Sequence, residues 1–335
     1  MKYKESIRNI SNELLLNKGS VLITGATGLI GSCIADILLE ANRNGAQFEI
    51  FTMSRSLEKI KKRFNGYVIP IIQDVTEPLD EKNKFDYIIH CASNADPRSY
   101  STNPVETMLT NIVGNKNVLD YCKLHKSTRL ILTSTFEVYG TIDGVSVYKE
   151  NMSGVIDQTI LRNGYPESKR SCELLLRSYV DEYNINAVIV RLPSVYGPTM
   201  LKSDSKAHAQ FIKNVLNRED IVLKSKGSQK RTYTYVLDAV SGIFKVLFEG
   251  EVGEIYNISN EKSIASIADV AKVCAEIAGT KVIFELPDEV ESKGFSRSKD
   301  CILDNSKLKA LGWNAKYSLK EGLLETIEYL GDMRC

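Results

Sequence analysis

A chain of 335 residues, 43% hydrophobic and 25% charged, is long enough to bury one large core or two lobes sharing a site. Its 43 Lys and Arg against 42 Asp and Glu leave a formal net charge of +1, which excludes a broad nucleic-acid footprint or a polybasic membrane surface. The 7 cysteines are odd in number and lack C-x-x-C spacing, and the 3 histidines (His90, His125, His208) are dispersed, so neither a disulfide framework nor a metal site is expected and a reducing, cytoplasmic setting fits.

The first residues, MKYKESIRNISNELLL, carry Glu5 and Glu13 and an apolar run of only Leu14 to Leu16, so they do not read as a signal peptide. Ile7, Ile10, Leu14 and Leu15 have helical spacing and predict an extra helix within residues 1–18. No stretch approaches the roughly 20 apolar residues of a membrane span. VLITG (21–25) then reads as a strand, followed by a helix over about 29–43 and the strand FEIFTM (48–53). VIPII (68–72), DYIIHCA (86–92), RLILTST (129–135) and AVIVRL (187–192) are further strands, separated by helical stretches near 57–64, 104–124 and 166–183. This alternation predicts an α/β fold, a Rossmann-type doubly wound parallel sheet over residues 19–192. After the turn-rich YGPTM the pattern changes. Helices near 205–217, 237–249, 264–278 and 319–331 alternate with short strands IVLKS, EIYNIS and KVIFEL. Residues 193–335 are therefore read as a smaller mixed α/β substrate-binding lobe that partly returns to the first domain.

Gly25-Ala26-Thr27-Gly28-Leu29-Ile30-Gly31 lies between the first strand and helix. Gly25 permits a tight turn, Gly28 lets backbone approach a pyrophosphate, and Gly31 allows helix to pack closely on strand. The helix N-terminus then offers unpaired N–H groups to phosphates. At the end of the second strand, where an acid would accept from a ribose 2′-hydroxyl, stands Met53-Ser54-Arg55-Ser56. An arginine flanked by hydroxyls suits a 2′-phosphate, so Ser54 and Arg55 point to NADP, with NAD as the alternative. Asp74, after the third strand, can accept from the adenine amine or cap a turn.

In Tyr165-Pro166-Glu167-Ser168-Lys169, Pro166 suits a first helical turn and Lys169 lies on the same face as Tyr165. A nearby ammonium favours the phenolate, so Lys169 is expected to lower the Tyr165 pKa and fit it for acid–base work on a sugar hydroxyl or carbonyl. Thr133-Ser134-Thr135-Phe136-Glu137-Val138-Tyr139-Gly140 ends the strand RLILTST. There Thr135 can hydrogen-bond a reacting oxygen and Glu137 can act as a base, or be an ordinary loop carboxylate. Arg231 and Arg297 are candidates for a diphosphate clamp, since guanidinium forks suit phosphate.

Together these motifs resemble the extended short-chain dehydrogenase/reductase superfamily, in its nucleotide-sugar epimerase/dehydratase branch. NPVETMLTNIVGNKNVLD (103–120), RLPSVYGP (191–198), GSQKRTYTYVLDAV (227–240), GEIYNISN (253–260) and DNSKLKALGW (304–313) extend the likeness over nearly the whole chain. Within the branch the chain looks most like UDP-glucuronate decarboxylases and sugar-nucleotide 4,6-dehydratases, whose S/T-x-E-V-Y-G segment keeps the glutamate. The resemblance implies NAD(P)-dependent modification of a nucleotide-diphosphate sugar through a keto-sugar intermediate. It implies catalytic roles for Thr135, Glu137, Tyr165 and Lys169. It implies a cofactor lining of Gly25, Thr27, Gly28, Leu29, Ile30, Ser54, Arg55, Asp74, Val75, Cys91, Ala92, Tyr165, Lys169, Pro193 and Val195. It also implies a homodimer through helices 104–124 and 166–183. Two departures stand out. Phe136 occupies the place of the dehydratase acid and of the decarboxylase serine. The position 13 residues before Trp313, where decarboxylases carry an arginine, is Asp300, with Arg297 the nearest arginine. A redox-neutral route and a net NADPH-dependent reduction of a keto-sugar both remain open at this point.

Overall fold

The computed structural model describes residues 2–285 and 300–332. Along the first part of the chain, helix α1 (Lys2–Asn12) precedes β1 (Lys18–Thr24), α2 (Leu29–Arg43), β2 (Gln47–Ser54), α3 (Leu57–Phe64), β3 (Ile69–Ile72) and β4 (Tyr87–His90). Then come α4 (Pro97–Thr102), α5 (Pro104–Leu124), β5 (Arg129–Thr135), β6 (Val147–Tyr148), α6 (Gly164–Tyr183) and β7 (Asn186–Leu192). The second part holds β8 (Ser194–Tyr196), α7 (Ala207–Leu216), β9 (Ile221–Leu223), β10 (Lys230–Tyr235), α8 (Val236–Glu249) and β11 (Ile255–Asn257). It ends with β12 (Ile264–Ser266), α9 (Ile267–Ala278), β13 (Val282–Phe284), β14 (Ile302–Leu303), α10 (Ser306–Ala310) and α11 (Leu319–Asp332).

Seven strands form one parallel sheet in the order β11-β7-β5-β4-β1-β2-β3. The continuous apolar runs of β1, β5 and β7 follow from burial on both faces. Side chains alternate across the sheet: Val21, Ile23, Ile89, Ile131 and Val188 pack with α2 and α8, whereas Leu22, Ile88, Leu130, Leu132 and Ile189 pack with α5 and α6. Strand order reverses about β1 and β4, and in such sheets the crevice beyond the carboxyl ends at that point takes ligands.

The N-terminal helix buries Tyr3, Ile7 and Ile10, and Tyr3 meets Tyr329 edge-on at 4.9 Å between ring centroids. Beyond β7 the chain leaves the sheet and returns as β11 beside β7. Two expectations shift. The helix foreseen from residue 264 begins at Ile267, because Ser266 and Asp269 form a reciprocal capping box and residues 264–266 instead pair antiparallel with β10. The helix foreseen from residue 166 begins at Gly164, placing Tyr165 inside its first turn. The pairing of β6 with β14 had no sequence signal, since two-residue strands carry no readable period.

Asp238, at the start of α8, ties the later chain to the core. Its buried carboxylate accepts from the N–H groups of Lys316 (2.8 Å) and Tyr317 (3.1 Å) and from the Asn260 amide (3.3 Å). Burial pushes its pKa up from 3.8 to about 6. The folded state therefore holds this proton to a higher pH than the unfolded chain does. The resulting stabilisation is complete below about pH 4 and is lost as pH rises through about 6. Asp238→Ala is expected to cost about 1–3 kcal/mol by orphaning these donors. It should also flatten the pH dependence of stability between pH 4 and 6, both effects being read from urea midpoints.

Candidate active site

The carboxyl ends of the sheet strands open into one cleft of about 1570 Å³. Every described residue that the sequence suggested for the cofactor, the chemistry or the diphosphate lines it, Arg231 included; Arg297 lies outside the described residues.

At the glycine loop the fit is steric. Gly25 has φ +66°, and a Cβ there would sit 2.9 Å from the backbone of Ala92. A Cβ on Gly31 would meet the Gly25 carbonyl at 2.6 Å and Ala26 Cα at 2.7 Å. At Gly28 only the Gly25 carbonyl comes near, at 3.3 Å, so the cleft side is open. Helix α2 starts there without a side-chain cap, which leaves its first-turn N–H groups for an anionic ligand. Thr24 Oγ1 accepts from the N–H of Cys91 and of Ala92, both at 3.1 Å, and lies 2.8 Å from His90 Nδ1. His90 is buried, which drives its pKa down to about 3, so it is a neutral packing residue. Narrow backbone cradle, uncapped helix start and long cleft fit a dinucleotide.

Beyond β2, Arg55 is mostly exposed, with its guanidinium 3.2 Å from Glu106 Oε1 and 3.6 Å from Asp74 Oδ2. The free cation expected for a 2′-phosphate thus stands between two acids. Ser54 Oγ accepts from Ser56 N–H (3.3 Å), and Ser56 in turn caps α3. Asp74 accepts from the Thr76 N–H (2.9 Å) and hydroxyl (2.8 Å), which hold its carboxyl below its ordinary pKa. It is a turn former as well as a cleft residue.

At the far end of β5 the acid–base candidates converge. Lys169 is buried, and its Nζ donates to the Thr133 carbonyl at 3.1 Å. Tyr165 is buried and stacks on Tyr100, with ring centroids 4.1 Å apart and planes 8° apart. The expected depression of the Tyr165 pKa is not what the structure has. Burial, then the charge of Glu137, push the phenol up, while hydrogen bonds with Tyr100, Thr135 and Ser93 pull the other way. Burial is the dominant cause, and the Lys169 ammonium donates to the Thr133 carbonyl. Burial lowers its own pKa. Glu137 is paired with Arg162 at 2.9 Å, and the Arg162 guanidinium also lies 5.5 Å from the Tyr100 ring centroid. Neither Tyr100 nor Arg162 was picked out from the sequence. A faint signal existed for Arg162: a cation just before a helix start opposes the helix dipole and needs a nearby anion.

Arg231 of β10 places its guanidinium 5.4 Å from the Phe136 ring centroid, and its buried Nε has no hydrogen-bond partner among the described residues. A ligand oxygen would satisfy that donor. Phe136 serves as the apolar floor for this cation.

Comparison with known proteins agrees with this geometry. Residues 21–259 match the sequence model of the NAD dependent epimerase/dehydratase family. The chain is 32% identical over 305 residues to UDP-glucuronic acid decarboxylase 3 of Arabidopsis thaliana, covering 90% of this chain and 86% of that one. It is 30% identical over 311 residues to UDP-glucuronic acid decarboxylase 1 of Xenopus tropicalis, covering 92% and 71%. Its fold is similar to that of the UDP-glucose 4-epimerase of Thermotoga maritima solved with UDP-glucose (TM-score 0.79, 24% identity, 94% of this chain and 100% of that one). It is equally similar to the UDP-glucuronic acid 4-epimerase of Bacillus cereus in complex with UDP-glucuronic acid and NAD (TM-score 0.79, 24% identity, 94% and 99%). The glycine cradle, the convergent Tyr165 and Lys169 and these matches make one statement: the chain belongs to the NAD dependent epimerase/dehydratase family and is an enzyme.

Proposed function

We propose that the enzyme modifies a UDP-linked sugar by a redox-neutral route with NAD as its resident cofactor. The observation that carries this reading is the meeting of Thr135, Glu137, Tyr165 and Lys169 at one end of a cleft whose other end is the uncapped glycine loop. The UDP part is supported by the curated relatives and by the sugar nucleotides bound in the similar structures.

When bound, the nicotinamide supplies a reversible acceptor for the hydride of a sugar C–H. The chain's own residues handle the protons. Tyr165 exchanges one with the sugar oxygen, and Thr135 orients that oxygen by hydrogen bonding. Burial favours protonated Tyr165, suited to giving its proton, and the hydrogen bonds with Thr135, Ser93 and Tyr100 support the phenolate in the reverse direction. Lys169 holds the nicotinamide ribose. A ketone acidifies the adjacent C–H, and Glu137, which pairs with Arg162, removes that proton. Phe136 offers no proton to a leaving hydroxyl, so epimerisation or decarboxylation fits these residues better than dehydration. Arg231 takes a diphosphate oxygen on its Nε, which has no partner among the described residues.

The cofactor is taken as NAD because a 2′-phosphate beside Arg55 would also meet Asp74 and Glu106. Titrating both dinucleotides into the apo protein should show tighter NAD. Glu106→Gln should narrow the gap, since relieving one exposed like charge is worth on the order of 1 kcal/mol or less. NADP binding tighter than NAD in the wild-type chain would restore the 2′-phosphate role of Arg55.

The reaction is tested with a panel of UDP-sugars, following NADH absorbance, solvent deuterium uptake and released CO₂ together. Turnover without net NADH change is expected, with deuterium entering a sugar carbon. Glu137→Gln should lose that step by about 10²–10⁴-fold, the usual contribution of a general base. One reduced cofactor consumed per product, with Glu137→Gln still active, would make the enzyme a reductase instead.

A further inference from the structure

Behind the cleft lies a buried charge pair that the chemistry above does not use. Glu173 of α6 is one helical turn beyond Lys169, and Arg191 of β7 grips its carboxylate through Nε (3.1 and 3.2 Å) and Nη2 (2.7 Å). Both residues are at least nine-tenths buried. The pair is anchored further by Arg191 Nη1 donating to the Glu150 carbonyl (2.9 Å) and by the Arg191 guanidinium lying 4.6 Å from the Tyr139 ring centroid. Taking two such charges out of water is expensive and is at best roughly offset by their attraction, so net stability is a poor reason for the pair to be here.

Its third partner indicates a use. Ser134, on β5 and in register with Arg191, donates its hydroxyl to Glu173 Oε1. Ser134 stands between Thr133, whose carbonyl holds Lys169, and Thr135, whose hydroxyl faces Tyr165. We infer that Glu173, gripped by Arg191, is a positioning residue: through Ser134 it fixes the end of β5 so that Lys169 and Thr135 stay where the reaction needs them. The charge on Glu173 also opposes the effect of burial on the Lys169 ammonium. Displacement of about 1 Å in such groups can cost up to about 100-fold in rate, so one hydrogen bond at this point has leverage.

The inference rests on the roles given to Lys169 and Thr135 under the proposed function, and its test separates the two. Glu173→Gln strands the Arg191 charge and risks misfolding, so the principal variant is Ser134→Ala, which cuts the link and leaves the ion pair intact. Titration with NADH needs no sugar substrate. Ser134→Ala should weaken NADH several-fold at unchanged Tm, and Ser134→Thr, which restores the hydroxyl, should recover affinity. On whichever UDP-sugar is turned over, kcat should fall about 10-fold in Ser134→Ala with KM within about twofold, the pattern of misplaced catalytic groups rather than lost binding. An NADH dissociation constant within about twofold of wild type, or a loss that merely follows a lower Tm, overturns the inference. If the wild-type chain turns over no UDP-sugar, the proposed function fails, and the NADH comparison still decides this one.

Discussion

The close approach of the β1–α2 turn to the chain leaving β4 is the constraint on which the site depends. Backbone lies where a Cβ on Gly25 would have to be, and the Gly25 carbonyl lies where a Cβ on Gly31 would have to be. The same junction is stitched by Thr24, whose hydroxyl takes two consecutive N–H groups from Cys91 and Ala92. Those contacts bring β1 and β4 together at the point where strand order reverses, and so create the crevice. Because the strands are buried on both faces, their carboxyl ends are where polar backbone can face a ligand. The adjoining loops then build the rest of the cleft around that opening.

Charge in and behind the cleft is arranged in pairs. Arg55 faces Asp74 and Glu106, Arg162 faces Glu137, and Glu173 faces Arg191. The first pairing is exposed and weakly held, so it adds little to stability. The last is buried and rigid. Between these extremes Arg162 and Glu137 are a partly exposed pair. Arg231 rests its guanidinium on the Phe136 ring, and its buried Nε has no hydrogen-bond partner among the described residues. A buried donor left unsatisfied costs about 1–3 kcal/mol, a cost that a bound diphosphate oxygen would remove.

Much of the fold was legible because its signals are local. Apolar runs of strand length, helices of 15 to 21 residues such as α2 and α5, and a glycine-punctuated turn between them can each be read within a short window. The short elements were not legible: β6 and β14 exist because they find each other across more than 150 residues, and nothing in either dipeptide announces it. The start of α9 was misplaced for a related reason, since residues 264–266 join β10 through a pairing that local propensity cannot see.

For the site, the sequence by itself determined which residues could do chemistry. Tyr165, Lys169, Thr135, Glu137 and the three glycines carry their spacing and functional groups in the primary structure. Only the tertiary structure decided what each of these groups faces. It gave Lys169 to the Thr133 carbonyl rather than to Tyr165, set Arg55 between two carboxylates, stacked Tyr100 on Tyr165 and put Arg162 on Glu137. A side chain's pKa and free valence depend on neighbours within a few ångströms in space, and here those neighbours come from other elements, Tyr100 standing 65 residues before Tyr165.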